Sequence, residues 1–101
     1  MFQITIVYHH PDDPDAFDRH YKSTHIPLVD DIPDVAGFTM SHCETLDGST
    51  PSAYALAQLT FASKGAAAQA FGSPAGQAAA GDVANFATGG ATMLFTEVPA
   101  S

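Results

Sequence analysis

Four stretches of this chain alternate residue by residue, and blocks of helical spacing separate them in a fixed order. Residues 2–9 place Phe2, Ile4, Ile6 and Tyr8 on one face and Gln3, Thr5, Val7 and His9 on the other. These β-branched and aromatic residues suit a strand. Residues 37–45 put Phe38, Met40, His42 and Glu44 together. Residues 53–61 set Ala53, Ala55, Ala57, Leu59 and Phe61 against Tyr54, Leu56, Gln58 and Thr60. Residues 91–98 set Met93 and Phe95 against Thr92, Leu94 and Thr96, and Pro99 ends the run. Helical spacing fills 14–25, with a short continuation over 27–31, and returns over 64–71 and 75–87. The order βαββαβ is the split βαβ pattern and predicts an α+β fold, a four-stranded antiparallel sheet with helices on one face. One domain over residues 1–101 uses the whole chain. Nothing in the sequence covers the second face of the sheet, so a homodimer joined through that face is expected.

Punctuation supports these boundaries. Asp13 is placed to cap the first helix, with Pro14 at its first position. In that helix Phe17, Tyr21, Thr24 and Leu28 fall on one stripe, and Tyr21 and His25 are one turn apart. Pro27 lacks an N–H, so the Ser23 carbonyl loses its helical partner and the helix should kink or restart at 25–27. Ser63 can cap the next helix, and Gly72-Ser73-Pro74 interrupts it. The Ala-rich stretch that follows reads as a packed helix, with Phe71, Val83 and Phe86 as apolar anchors and Gly76 and Gly81 as weak points.

Charge excludes several functions. Eleven acids against three bases give a net charge of −8, and Arg19, Lys22 and Lys64 stand isolated. No basic cluster is available for nucleic acid or an anionic membrane surface, so neither is expected as a partner. Cys43 is the only cysteine and reads as a small buried hydrophobe. No apolar run approaches the ~20 residues that span a bilayer, and the N-terminus lacks a basic leader segment. A cytoplasmic protein is expected.

The five histidines are His9, His10, His20, His25 and His42. No metal or nucleotide motif accompanies them, and His20 and His25, five apart, suit two ligands on one α-helical face poorly. No metal and no cofactor are expected. His25 is the candidate acid or base, since a modestly desolvated imidazole is neutral and accepts a proton near neutral pH. Tyr21 would hydrogen-bond a ligand oxygen, and Asp18 is close enough in projection to fix the His25 tautomer. The competing role for His25 is to cap the carbonyls freed at the Pro27 break, with Tyr21 packed in the core. Tyr8, His42 and Tyr54 are further candidates for the wall of a binding pocket. His9, His10 and His20 are read as solvated.

The segments Ile4-Thr5-Ile6-Val7-Tyr8, Pro14-Asp15-Ala16-Phe17-Asp18, Tyr21, His25-Ile26-Pro27-Leu28 and Ile32-Pro33-Asp34-Val35-Ala36-Gly37-Phe38 resemble the EthD family. The resemblance implies a ferredoxin-like fold that pairs into a dimeric α+β barrel. It also implies a link to ether and aromatic catabolism and to polyketide-like pathways. The expected function is a cofactor-independent enzyme, with an oxidoreductase among the options, acting on a small apolar oxygenated compound: aromatic, ketone or ether-derived. His25 and Tyr21 would be catalytic, and Tyr8, Asp18, His42 and Tyr54 would contact the ligand. The alternative is a non-catalytic binding or accessory protein serving a partner oxygenase.

Overall fold

The computed structural model describes residues 1–99; Ala100 and Ser101, within the expected 1–101 domain, lie outside them. The elements are β1 (Phe2–Tyr8), α1 (Pro14–His20), a π-helical turn (Tyr21–His25), α2 (Ile26–Asp30), β2 (Gly37–His42), β3 (Ala55–Phe61), α3 (Lys64–Gly72), α4 (Pro74–Phe86) and β4 (Ala91–Glu97). The four strands form one antiparallel sheet in the order β2-β3-β1-β4. This is the ferredoxin-like βαββαβ arrangement, with every helix on one face.

The alternation read from the sequence sets which face is covered. Phe2, Ile4, Ile6 and Tyr8 of β1 and Ala55, Ala57, Leu59 and Phe61 of β3 are buried under the helices. Their neighbours on the other face, such as Thr5, Val7, Leu56 and Gln58, are only half-buried. The edge strand β4 is exposed along its whole length, with Leu94 at 49% and Phe95 at 60%. Phe95 pairs with Ile4 and Leu94 with Thr5, so β4 leaves apolar surface on both faces of the sheet.

The caps form as the residues dictate. Asp13 Oδ1 accepts from the Asp15 and Ala16 N–H groups, and Ser63 Oγ accepts from Ala66 N–H. Ser73 does two jobs at the α3–α4 corner. Its hydroxyl donates to the Ala70 carbonyl and accepts from Gly76 N–H. Gly76 is not simply a weak point in α4. A Cβ there would collide with the Ala70 carbonyl and the Phe71 backbone, so the tight corner requires glycine.

One strand departs from simple alternation. The Tyr54 N–H bonds the Tyr8 carbonyl although Ala55 is the register partner of Tyr8. Two residues thus stand against one, as in a bulge, and Tyr54 turns toward the helices instead of joining the Leu56 face. Among the described residues, no helix is long and apolar enough to cross a membrane.

Candidate active site

The site begins at the π-helical turn. Pro27 cannot donate to Ser23, and the chain answers one residue earlier: the Ile26 N–H bonds the Tyr21 carbonyl, five residues back. The wider turn holds one extra residue and rotates everything after it. The buried stripe is therefore Phe17, Tyr21, His25 and Val29, not Phe17, Tyr21, Thr24 and Leu28; Thr24 is exposed and Leu28 half-buried. On an α-helix, residues five apart diverge by about 140°. Across the π turn they return to nearly the same side, so His20 and His25 face one another's neighbourhood.

Both imidazoles meet Asp82 of α4. His25 Nδ1 lies 3.1 Å from Asp82 Oδ2, and His20 Nε2 lies 2.8 Å from Asp82 Oδ1. Asn85 Nδ2 donates to Oδ1 at 3.0 Å. His25 and Asp82 are buried, at 3% and 6% exposure, while His20 keeps 29%. Burial alone would raise the Asp82 pKa, but the hydrogen bonds from Asn85, His20 and His25 together hold it below the usual carboxylate range. An ionised Asp82 accepts from Nδ1–H of His25, which leaves His25 Nε2 with a free lone pair. Burial pushes the His25 pKa below its ordinary value and outweighs the pull of the Asp82 carboxylate. A neutral His25 ring near pH 7 then has its tautomer set by the Asp82 carboxylate. Its ring bonds Asp82 rather than the carbonyls at the Pro27 break, so it is not the cap of that break.

His25 forms part of the wall of a cavity of about 410 Å³ between the sheet and α4. Nε2 makes no hydrogen bond and is not among the sealed polar atoms, and it belongs to a residue that borders that space. The rest of the wall is aliphatic or aromatic: Ile6 and Leu59 on the sheet, Val29 on α2, Phe71 on α3 and Val83 on α4 are examples. Among the described residues, His25 is the only wall residue with a strongly hydrogen-bonding side chain. Met93, on the exposed strand β4, stands at the rim.

The other sequence candidates divide into two groups. Tyr8 and Tyr21 pack behind the cavity, around Phe86. The Tyr8 ring lies 5.5 Å from Phe86, and the Tyr21 ring lies 5.6 Å from Phe86 and 5.2 Å from His25. Neither phenol lines the cavity, both hydroxyls are sealed without a partner, and burial raises both pKa values. Tyr21 as it stands is thus a support for His25, not a group that reaches a ligand. An unpartnered buried hydroxyl costs roughly 1–3 kcal/mol. Tyr21→Phe should therefore leave stability unchanged or raise it by about 1 kcal/mol, read from the urea midpoint; a loss of comparable size would show that the hydroxyl has a partner in solution.

Asp18, His42 and Tyr54 form a separate surface cluster. Asp18 Oδ1 accepts from Tyr54 OH at 2.9 Å and faces His42 Nε2 at 2.9 Å. Asp18 thus does not reach His25; Asp82 holds that position. Partial burial and the Asp18 carboxylate push the Tyr54 phenol up to about 12. The Phe17 ring touches both Tyr54 and Tyr21, at 5.0 and 6.0 Å, and stands between this cluster and the His25 site. Three histidines read as solvated have partners: His9 bonds Thr92 Oγ1, His10 bonds the Pro51 carbonyl, and His20 bonds Asp82.

Asp82 was the residue that pattern reading missed, and the sequence carries a signal for it. It is the only charged residue between Lys64 and Glu97. It also shares the buried stripe of α4 with Gly76, Ala79 and Phe86. A lone acid on an apolar helical stripe must find buried donors or give up its charge.

Comparison with known proteins follows the same line. The EthD domain pattern matches residues 9–90. An uncharacterized 11.0 kDa protein of the thcB-thcC intergenic region of Rhodococcus erythropolis is 64% identical over 97 residues, covering 96% of this chain and 94% of that one. The crystal structure of an ethyl tert-butyl ether D (EthD) family protein from Bacillus halodurans C-125 is 26% identical. It superposes with a TM-score of 0.90 over 98% of this chain and 99% of its own. SnoaB, a cofactor-independent oxygenase from Streptomyces nogalater, shares the fold at 13% identity and a TM-score of 0.65, over 99% of this chain and 93% of its own. With its βαββαβ sheet and a domain match over most of its length, this chain belongs to the EthD family.

Proposed function

We propose that the protein is a cofactor-independent enzyme that takes a small apolar oxygenated molecule into the cavity, with His25 Nε2 exchanging a proton with it. The observation that carries this reading is the single polar group in an otherwise apolar cavity: one imidazole with its far nitrogen bound to a buried carboxylate. A polar or anionic substrate would find no partner beyond His25 and would meet Asp82 behind it. A phenol, an enolisable ketone or a related aromatic places one oxygen or one acidic C–H against Nε2 and buries the rest on aliphatic walls. A phenolate or enolate formed this way is the electron-rich species that dioxygen attacks without a cofactor. Oxidation is therefore one outcome such a site supports, and it is in keeping with the chemistry named for SnoaB on the same fold. Fold alone does not assign it.

The test uses an enolisable ketone of suitable size. With 2-tetralone in deuterium oxide, catalytic amounts of the protein should accelerate loss of the α-proton NMR signals above the buffer rate. A panel of such ketones exchanging only at the buffer rate, with no phenol bound either, would overturn the reading. Binding of the same compounds without any exchange would favour the accessory-protein alternative.

The proposed working unit is a homodimer joined through the helix-free sheet face. Leu94, which projects from β4 on that face beside Thr5, is an exposed apolar residue that a second sheet would cover. Such an interface is on the order of 1,600 Å². Sedimentation at micromolar concentration should give twice the chain mass, and a monomer there would contradict the proposal.

A further inference from the structure

His20 lies outside the cavity wall, yet it is tied to the cavity base through one carboxylate. Each oxygen of Asp82 is occupied: Oδ2 by His25 Nδ1, and Oδ1 by His20 Nε2 and Asn85 Nδ2. The His20 ring is stacked on Phe86 at 5.4 Å and 25°, and Phe86 in turn touches the His25 ring at 4.7 Å. The arrangement is therefore built, with both rings held by packing and by hydrogen bonds to a shared acceptor. It also spans a boundary, since His25 is buried and His20 retains 29% exposure.

We propose that His20 is a positioning residue for the His25 base: it holds Asp82 in place and, through its own charge on the solvent side, sets how readily His25 takes a proton from a molecule in the cavity. The inference rests on the reading of His25 as the acid–base group. When His25 accepts a proton at Nε2, the bond from the ligand oxygen or carbon to that hydrogen breaks and its electron pair stays on the ligand. The imidazolium keeps its Nδ1–H on Asp82, whose negative charge balances it. If His20 is also protonated, the single carboxylate must serve two cations, and the second proton binds less readily. The other groups against the cluster do not supply a charge that imitates this. Tyr8 and Tyr21 are kept neutral by burial, Asn85 does not titrate, and Arg19 and Lys22 on the neighbouring turns are exposed to solvent.

Ring ¹⁵N NMR titration of the full chain tests this without a ligand. In the wild type, His25 should show a protonated Nδ1 and a bare Nε2 at neutral pH, and its signals should respond as His20 titrates. His20→Gln keeps an N–H donor for Asp82 Oδ1 and removes the charge. In that variant His25 should bind its proton about three- to tenfold more tightly and titrate in one step. A His25 titration that superimposes on the wild type would overturn the proposal. Should the variant fail to fold, the wild-type spectrum decides: a His20 ring with a bare Nε2 toward Asp82, or a His25 titration indifferent to His20, would overturn it equally. In the tetralone exchange assay, the same variant should move the acid limb of the rate–pH profile to higher pH, which a purely structural role for His20 would not do. Failure of exchange in the wild type would remove the enzymatic reading and leave the ring coupling to be judged by NMR alone.

Discussion

Replacing His25 by alanine should slow proton transfer in the cavity by roughly 10²–10⁴-fold, the usual worth of a positioned acid–base group, while the chain stays folded. The fold should survive because Asp82 keeps two of its three partners, His20 and Asn85, and is not left as an unpaired buried charge. The same substitution should change how stability depends on pH. The His25 pKa is lowered in the folded state, so the unfolded chain binds its proton first as pH falls. Stability should therefore be level above the ordinary histidine value of about 6.5 and decline as pH drops from there through the lower folded value. His25→Ala should remove that decline. Asp82 acts in a second, more acidic window. Its folded pKa is also lowered, so its contribution is present above about 3.9 and is lost as pH falls through the folded value. Thermal melts from pH 8 to pH 3 on both proteins separate the two windows. An identical acid profile in wild type and variant would show that His25 is not held neutral by burial.

The largest loss of stability is expected from Phe86→Ala, about 3–5 kcal/mol, the range for deleting a buried aromatic ring. Phe86 is 3% exposed. Its ring contacts Phe17 at 5.0 Å and His25 at 4.7 Å, besides Tyr8, Tyr21 and His20. Removing it loosens both histidines and opens the cavity toward the two tyrosines. Urea unfolding should show a shifted midpoint with an unchanged slope. A loss below ~1 kcal/mol would mean that the site is not packed around this ring. Phe71→Ala, at a half-buried position that lines the cavity, should cost less.

The sheet, its covered face and its helix caps were legible because each rests on a local rule. Ile4 and Ile6 alternate with Thr5, Asp13 precedes Pro14, and Ser63 opens an alanine run. The position of His25 was legible for the same reason, as a histidine before a proline in an amphipathic helix. Its partner was not. The notion that Asp18 holds the ring followed from α-helical projection within one segment. The π turn broke that projection by inserting one residue, and it sent His20 and His25 to the same carboxylate on α4. That contact joins residues 57 apart. No periodicity within a window reports such a pairing, although a lone acid on the buried stripe of α4 demanded one. Tyr54 was misplaced for a related reason. A bulge at the start of β3 turned it off the alternating face and onto Asp18. In both cases a single backbone irregularity moved a polar side chain to a new partner, and both irregularities lie where chemistry-bearing residues gather.

The central claim is that His25 Nε2 meets a ligand atom inside the cavity. The most direct measurement is the ratio of affinities for 2-naphthol and naphthalene, two molecules of nearly equal shape, in the wild type and in His25→Ala. The ratio cancels the general effect of enlarging the cavity. One neutral hydrogen bond contributes about 0.5–1.5 kcal/mol, so the wild type should favour the naphthol by roughly 2- to 12-fold beyond its lower hydrophobicity, and the preference should vanish in the variant. A preference that is the same in both proteins would show that the hydroxyl binds elsewhere and would contradict the account.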